Sequence, residues 1–392
     1  RESASLAQRD NNSRFGVGLK TCIEIRRPAA RRNYATFRKL LEPKTKLWAV
    51  VKSNAYGHGL LLFSKLADTL GVDGFCVDAL IEGIKLRHEG IKKPILVLGP
   101  TLPKLFKDAA ARDITLSISN FDALKALLAQ KIVPPFHIKV DTGMHRQGFF
   151  LEDIPKVLKV MQKSKIKNQN YYRGIYTHFA SAKDVNYPTY TEQQFGKFQK
   201  AITLFERAGY KNLMRHCAAT AGAMLNKKYH LDAVRVGIGL YGLWPSKELE
   251  IKSGTSSRIH LKPILSWRAM ISEVKNLNAG DYIGYDLAER ATRRTKMAIL
   301  PIGYWHGFPR ALSGIGEVIM RGKRSRVLGR VSMDLLAVDV SGIKCNAGDR
   351  GTLIGKDGGE ELAAFDVARN AGTIHYELLT RLNPLMERTL VA

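Results

Sequence analysis

Leu47-Trp48-Ala49-Val50-Val51-Lys52-Ser53-Asn54-Ala55-Tyr56-Gly57-His58-Gly59 opens on five apolar residues and closes on a polar, glycine-rich turn. The apolar run reads as a short buried strand, and Lys52 ends it. A lysine at the tip of a buried strand keeps its amine at the rim of a pocket. Desolvation there favours the neutral, nucleophilic amine that a Schiff-base lysine needs. The plain alternative is a lysine that leaves the strand for water, since lysine is mostly exposed. The sequence Asn-Ala-Tyr-Gly-His-Gly that follows argues against it.

Working outward, short apolar runs alternate with amphipathic helical stretches from Thr21 to about Trp244. The expected strands are Leu47–Val51, Gly74–Val77, Ile95–Leu98, Ile114–Ile118, His137–Val140, Gly174–Thr177, Leu213–His216 and Val234–Val236. Helical segments such as Asn120–Gln130 and Thr191–Ala208 lie between them. Eight such units in about two hundred residues predict an α/β fold, an N-terminal (β/α)8 TIM-like barrel.

After about Pro245 the pattern changes to alternating, β-branched segments: Ile264–Val274, Lys296–Ile302, Gly316–Met320, Ser325–Val340 and Gly351–Ile354. Two short helices are expected at Ala363–Ala371 and His375–Leu382. The expected organisation is a loose tail over 1–20, a barrel domain over 21–247 and a mainly β-strand domain over 248–392. A chain of 392 residues makes two domains the default.

Composition limits the function classes. No apolar run approaches the ~18 residues of a membrane span, and residues 1–20 contain no apolar h-region of a signal peptide. Cys22, Cys76, Cys217 and Cys345 are far apart and form no CxxC pair, so neither a disulfide framework nor a metal site is expected and a reducing cytoplasm is the simplest home. The 62 basic against 35 acidic residues give a net charge of +27. The basic residues are spread along the chain without a recognisable nucleic-acid module, so a solvated basic surface is expected rather than a specific nucleic-acid partner.

Barrel enzymes carry their chemistry at the C-terminal ends of the strands. Those ends carry Lys52, Asp141, His178, Thr220 (after the seventh strand) and Arg235. Any one of them could merely cap a strand. A lysine, a histidine and an arginine converging on one rim is a stronger signal.

The Lys52 string resembles the pyridoxal-phosphate lysine motif of alanine racemases. Further strings resemble that family in the same order. They are Lys139-Val140-Asp141-Thr142-Gly143-Met144-His145-Arg146, Thr177-His178-Phe179-Ala180, Arg215-His216-Cys217-Ala218-Ala219-Thr220-Ala221-Gly222 and Val234-Arg235-Val236-Gly237-Ile238-Gly239-Leu240-Tyr241-Gly242. In the second domain Ile283-Gly284-Tyr285, Leu300-Pro301-Ile302-Gly303-Tyr304, Gly329-Arg330-Val331-Ser332-Met333-Asp334 and Ile374-His375-Tyr376-Glu377 do the same. The resemblance runs from about Thr21 to Leu382.

The resemblance implies a homodimer with shared active sites, pyridoxal 5'-phosphate as cofactor, L- and D-alanine as substrates, and D-alanine supply for peptidoglycan. It implies that Lys52 carries the cofactor and serves the D-enantiomer's proton, while Tyr285 from the partner subunit serves the L-enantiomer's. Two bases suit the reaction, because a racemase takes a proton from one face and returns one to the other. It also implies that Arg235 faces the pyridine nitrogen and, staying protonated, leaves that nitrogen without a proton. His178 and Arg235 would form a hydrogen-bonded chain to Tyr285. Tyr56, Thr220, Gly237, Ile238 and Tyr376 would hold the phosphate. Arg146 and the Met333 backbone N–H would hold the substrate carboxylate, and Tyr304 would narrow the entrance. Lys139, carbamylated in some members, and Asp334 would support the site.

The chain departs from the family at Ala219, where asparagine is usual, at Thr220 for serine, at Gln147 for leucine and at Asp286, where glycine is common. Thr220 keeps a hydroxyl. Asp286 implies a different path for the loop after Tyr285. A racemase of broader range, a fold-related decarboxylase and a non-catalytic cofactor carrier are the alternatives. The decarboxylase needs a cysteine-centred C-terminal motif that this chain lacks, and the carrier has no second domain.

Overall fold

The computed structural model describes residues 19–164, 169–254 and 259–392. All but the last two residues of the expected tail, 1–20, lie outside them.

Two compact units form. One contains Arg27–Ala55 and Leu60–Pro263, the other Tyr56–Gly59 and Ile264–Ala392 together with the strand Thr21–Arg26. The first unit holds eight parallel strands: Lys46–Val50, Gly74–Val77, Ile95–Val97, Ile114–Ile118, Phe136–Lys139, Tyr172–Tyr176, Met214–His216 and Ala233–Val236. Each pairs with its sequence neighbour except the last, which closes onto the first, Leu47 opposite Val234. The seam between the seventh and eighth is spanned by a bridge from Ala219, just past the end of the seventh, to Arg235 in the eighth, with Arg235 N–H donating to Ala218 O at 2.9 Å.

Continuous burial, as along Gly74–Val77 and Ile114–Ile118, is what a parallel sheet covered on both faces requires. The helices supply the outer layer. Ile154–Lys163 buries Ile154, Val157, Leu158 and Met161, one stripe at helical spacing. The observed strands and helices fall within a few residues of their expected places.

The second unit is a mainly antiparallel sheet of ten strands. The run Thr21–Arg26, expected with the barrel, instead pairs antiparallel with Leu265–Met270 and parallel with Glu387–Val391. Helix Arg27–Leu40 follows it directly, so in sequence it looks like one more βα unit. The single expected segment Ser325–Val340 is two strands, Lys323–Leu328 and Leu336–Asp339, with Met333 in the turn between them. Ile264–Val274 likewise breaks at Ile271-Ser272 into Leu265–Met270 and Glu273–Leu277. Among the described residues no helix is long and apolar enough to cross a membrane.

Candidate active site

The first strand stops at Val50, and Lys52 opens the turn that follows. Ser53, Asn54, Ala55 and Tyr56 have φ of 55, 56, 51 and 53°, a left-handed turn built without glycine. Each such residue costs roughly 1–2 kcal/mol. Side chains over-determine it: Glu82 Oε1 accepts from Ser53 N–H at 2.7 Å, and Asn54 Oδ1 accepts from Leu60 N–H at 2.8 Å. Strain that neighbouring structure must maintain is typical of functional positions. The part-exposed Lys52 amine lies 3.5 Å from Asp78 Oδ1.

Arg235 sits at the barrel seam and is 3% exposed. Nη2 donates to Thr177 O at 2.8 Å and to Cys217 O at 3.3 Å, and lies 3.4 Å from His178 Nδ1; Nη1 donates to His216 Nδ1. His216 Nε2 in turn lies 2.8 Å from His137 Nδ1. Tyr176 stacks on His216 at 4.8 Å, and the guanidinium lies 5.1 Å from the centre of the same ring. Burial lowers the Arg235 pKa from its ordinary value. Burial first, then the charges of Arg235, Arg146, Lys139 and Lys52, push His178 down to about 3. Those causes tie Lys52, Lys139, Arg146, His178 and Arg235 into one electrostatic neighbourhood.

Asp141 closes the fifth strand and organises the loop after it. Its Oδ1 accepts from Gly143, Met144 and His145 N–H at 2.9, 2.9 and 3.0 Å, and Oδ2 accepts from Arg146 N–H at 3.1 Å. Burial alone would raise this carboxyl's pKa, but the N–H donors outweigh it and the net shift is downward. Lys139 is 5% exposed. Its amine donates to Gln147 Oε1 at 2.9 Å and lies 5.6 Å from the Tyr176 ring centre. Burial, then Arg146 and Arg235, push Lys139 down to about 8.

Thr220 begins the short helix Thr220–Leu225, and its Oγ1 accepts from Gly237 N–H at 3.1 Å and Gly239 N–H at 3.4 Å. Ile238 between them is buried.

In the second unit the Tyr56 and Tyr376 rings lie 6.2 Å apart. Burial, then Tyr56, raises the Tyr376 pKa. Tyr285 heads the turn Tyr285–Leu287 and is 67% exposed. Tyr304 N–H donates to Ser332 O at 3.0 Å, and Trp305 N–H donates to Met333 O at 3.1 Å. The turn of Tyr304 is thereby joined to the Met333 segment. Asp334 Oδ1 stands 4.0 Å from His306 Nδ1, which accepts from Gly303 N–H at 3.2 Å. Among the described residues no group of three or more His, Cys, Asp or Glu could hold a metal ion.

The pattern of the alanine racemase N-terminal domain matches residues 25–245, and that of the C-terminal domain matches residues 264–390. The chain belongs to the alanine racemase family. An alanine racemase of Leptospira interrogans is 36% identical over 375 residues, covering 94% of this chain and 95% of its own. One from Listeria monocytogenes is 37% identical over 373 residues, 95% of this chain and 98% of its own. The solved alanine racemase of Bacillus anthracis with bound L-Ala-P has a TM-score of 0.89 at 30% identity, covering 95% of each chain. That of Streptomyces lavendulae has a TM-score of 0.85 at 29% identity, covering 95% of this chain and 97% of its own. The protein is accordingly an isomerase of the alanine racemase family.

For this alanine racemase family member, sequence reasoning missed several supporting residues. Asp141 was recognised only as a strand end. His216 lay inside a quoted motif without a role, and nothing singled out His137. Gln194, on the helix Thr189–Arg207, accepts from Ala180 N–H at 2.9 Å and donates to Thr142 Oγ1 at 3.3 Å and His178 O at 3.4 Å. A buried glutamine on a mostly apolar helix stripe was the available signal.

Proposed function

We propose that this isomerase interconverts L- and D-alanine with pyridoxal 5'-phosphate as cofactor, as a homodimer with shared sites, supplying D-alanine for peptidoglycan. The observation that carries the reading is the meeting of Lys52, Lys139, Arg146 and Arg235 around the neutral His178 at one barrel rim. Two carboxylates face these cations: Asp141, already occupied by backbone N–H donors, and Asp78, paired with Lys52 alone. Such an arrangement suits a ligand that brings its own negative charges.

The residues also suit that cofactor chemically. The Thr220 hydroxyl and the N–H groups of Gly237 and Ile238, with the hydroxyls of Tyr56 and Tyr376, would hold its phosphate. Lys52 would carry it. Arg235, protonated and fixed by acceptors on both nitrogens, would face the ring nitrogen. When bound, the cofactor supplies an electron sink for the α-carbon.

The chain's own groups then divide the work. Arg146 and the Met333 N–H orient the substrate carboxylate. Lys52 moves the proton on the face of D-alanine, and Tyr285, contributed across the homodimer interface, moves it on the face of L-alanine. His178 and Arg235 extend a hydrogen-bonded chain toward that phenol. Tyr304 narrows the entrance in favour of a small side chain, and Lys139 and Asp334 are supporting residues.

The test is deuterium wash-in at the α-carbon of L- and D-alanine, serine and lysine, on the purified protein and on Lys52→Ala. Exchange with inversion of alanine, lost in Lys52→Ala together with retained cofactor, is expected. Equal exchange of serine would indicate broader range, carbon dioxide release a decarboxylase, and no exchange a carrier.

A further inference from the structure

We infer that Asp286 and Arg330 form a clasp that positions Tyr285 against the segment bearing Met333. The inference rests on the reading of Tyr285 as a base and deepens it.

Tyr285 lies in the connection of a small hairpin. Tyr282–Ile283 pairs with Glu289–Arg290, and residues 284–288 form its tip. The base of the hairpin is fastened to Gly329. Gly329 N–H donates to Glu289 Oε2 at 2.6 Å, and Glu289 Oε1 accepts from Arg326 Nη2. Gly329 is required there, since a Cβ on it would stand 2.6 Å from Ile283 O.

The tip is fastened separately, by Arg330 Nε to Asp286 Oδ2 at 3.2 Å. Asp286 has φ 63° and Leu287 φ 51°, both left-handed. Aspartate is among the few non-glycine residues that tolerate that region. Asp286 therefore both holds the left-handed turn next to Tyr285 and carries the charge that anchors it. Three residues beyond Arg330 is Met333, so the clasp ties the turn of the base to the strand-to-strand turn that would hold the substrate carboxylate. Asp286 and Arg330 are positioning residues: they act through Tyr285 and touch neither the reacting carbon nor the cofactor in this scheme.

The experiment is a double-mutant cycle of Asp286→Asn, Arg330→Met and the pair, with Tyr285→Phe alongside. Both side chains are exposed, which sets the scale at about a two- to fivefold fall in kcat for each single variant, with KM for alanine nearly unchanged. The double variant should fall no further than the singles, as coupled residues do. The α-deuterium isotope effect on L-alanine should rise, and amide exchange over residues 283–290 of the cofactor-free protein should quicken in each single variant. Wild-type kcat in the singles, losses that multiply in the double, or a kcat loss with amide exchange unchanged would each overturn the clasp. Tyr285→Phe separates the two levels. If that variant racemises normally, the base assignment falls. If it is inactive while the clasp variants keep full kcat, only the clasp falls.

Discussion

Arg235 Nη2 stands 3.4 Å from His178 Nδ1, a permanent cation set against a ring that stays neutral. Arginine can only donate, so His178 Nδ1 accepts and its proton resides on Nε2. The same logic fixes His216, whose Nδ1 accepts from Arg235 and whose Nε2–H then donates to His137 Nδ1. The buried guanidinium thus sets the tautomers of a row of histidines while carbonyl oxygens of Thr177 and Cys217 hold it in place.

These rings predict an acid-labile fold. Burial first, then the Arg173 and Arg235 charges, hold His137 down to about 3, and His216 lies well below its ordinary value for similar reasons. In the unfolded chain each ring takes up a proton near pH 6.5. Between about 6.5 and 3 the unfolded state binds more protons, so stability falls as pH is lowered through that window. Urea denaturation at pH 7 and pH 5 should show the loss, and His137→Phe should make the difference smaller. An unchanged pH difference in that variant would show that His137 is not a source of the acid sensitivity.

Gln147 is the polar acceptor for the buried Lys139 amine. Gln147→Leu should destabilise the protein by about 1–3 kcal/mol, the cost of stranding a buried donor. Lys139→Met in the same background should recover much of it, because no amine is then left unpaired. Chemical denaturation of the two variants and their combination checks this. Equal stability of Gln147→Leu and the parent would mean that water replaces the amide without loss.

Asp141 should matter for binding more than for the chemical step. Asp141→Ala removes the acceptor of four backbone N–H groups and frees the loop that carries Arg146. About 1 kcal/mol for each of one or two bonds not replaced by water corresponds to a five- to thirtyfold weaker hold on the substrate carboxylate. The expected result is a raised KM for alanine with a smaller change in kcat. Asp141→Asn retains one oxygen and should be milder. A fall in kcat at constant KM would instead place Asp141 in the proton-transfer step.

How much of this was legible depended on whether the signal was local. Lys52, Asp141, His178, Thr220 and Arg235 each lie at or just after the end of a strand expected from periodicity, whereas Arg146 was reached only through the resemblance of its string. The left-handed backbone at 53–56 could not be read in this way, because Ser53, Asn54, Ala55 and Tyr56 include no glycine and contacts such as those of Glu82 and Asn54 help to hold that shape. His137 looked like one more residue of a buried strand. Its meaning depends on His216, 79 positions away. In the second unit the strand run Ser325–Val340 is apolar enough to read as continuous, and the turn at Met333 is imposed by the hydrogen bonds of Tyr304 and Trp305. The placement of Thr21–Arg26 is likewise decided by pairing partners at Leu265–Met270 and Glu387–Val391 that no local pattern reveals.

Gly57 offers the sharpest steric test of the proposed phosphate-binding pair. It has φ 84°, and a Cβ added there would stand 1.9 Å from Leu379 O, a backbone atom of the helix His375–Thr380 that carries Tyr376. Its carbonyl accepts from Arg388 Nε at 3.0 Å, so the segment has little freedom to retreat. Gly57→Ala must either push that helix away or move Tyr56 on the other side of the same peptide, and both separate the two rings now 6.2 Å apart. Overpacking against backbone and a left-handed alanine together predict a loss of roughly 2–4 kcal/mol. If Tyr56 and Tyr376 hold phosphate jointly, the variant should also retain the cofactor less well than Tyr56→Phe alone, which removes one hydroxyl and leaves the backbone in place. Thermal unfolding and the cofactor content after dialysis measure the two effects separately. A Gly57→Ala protein of lowered stability but undiminished cofactor retention would uncouple the tyrosine pair from phosphate binding.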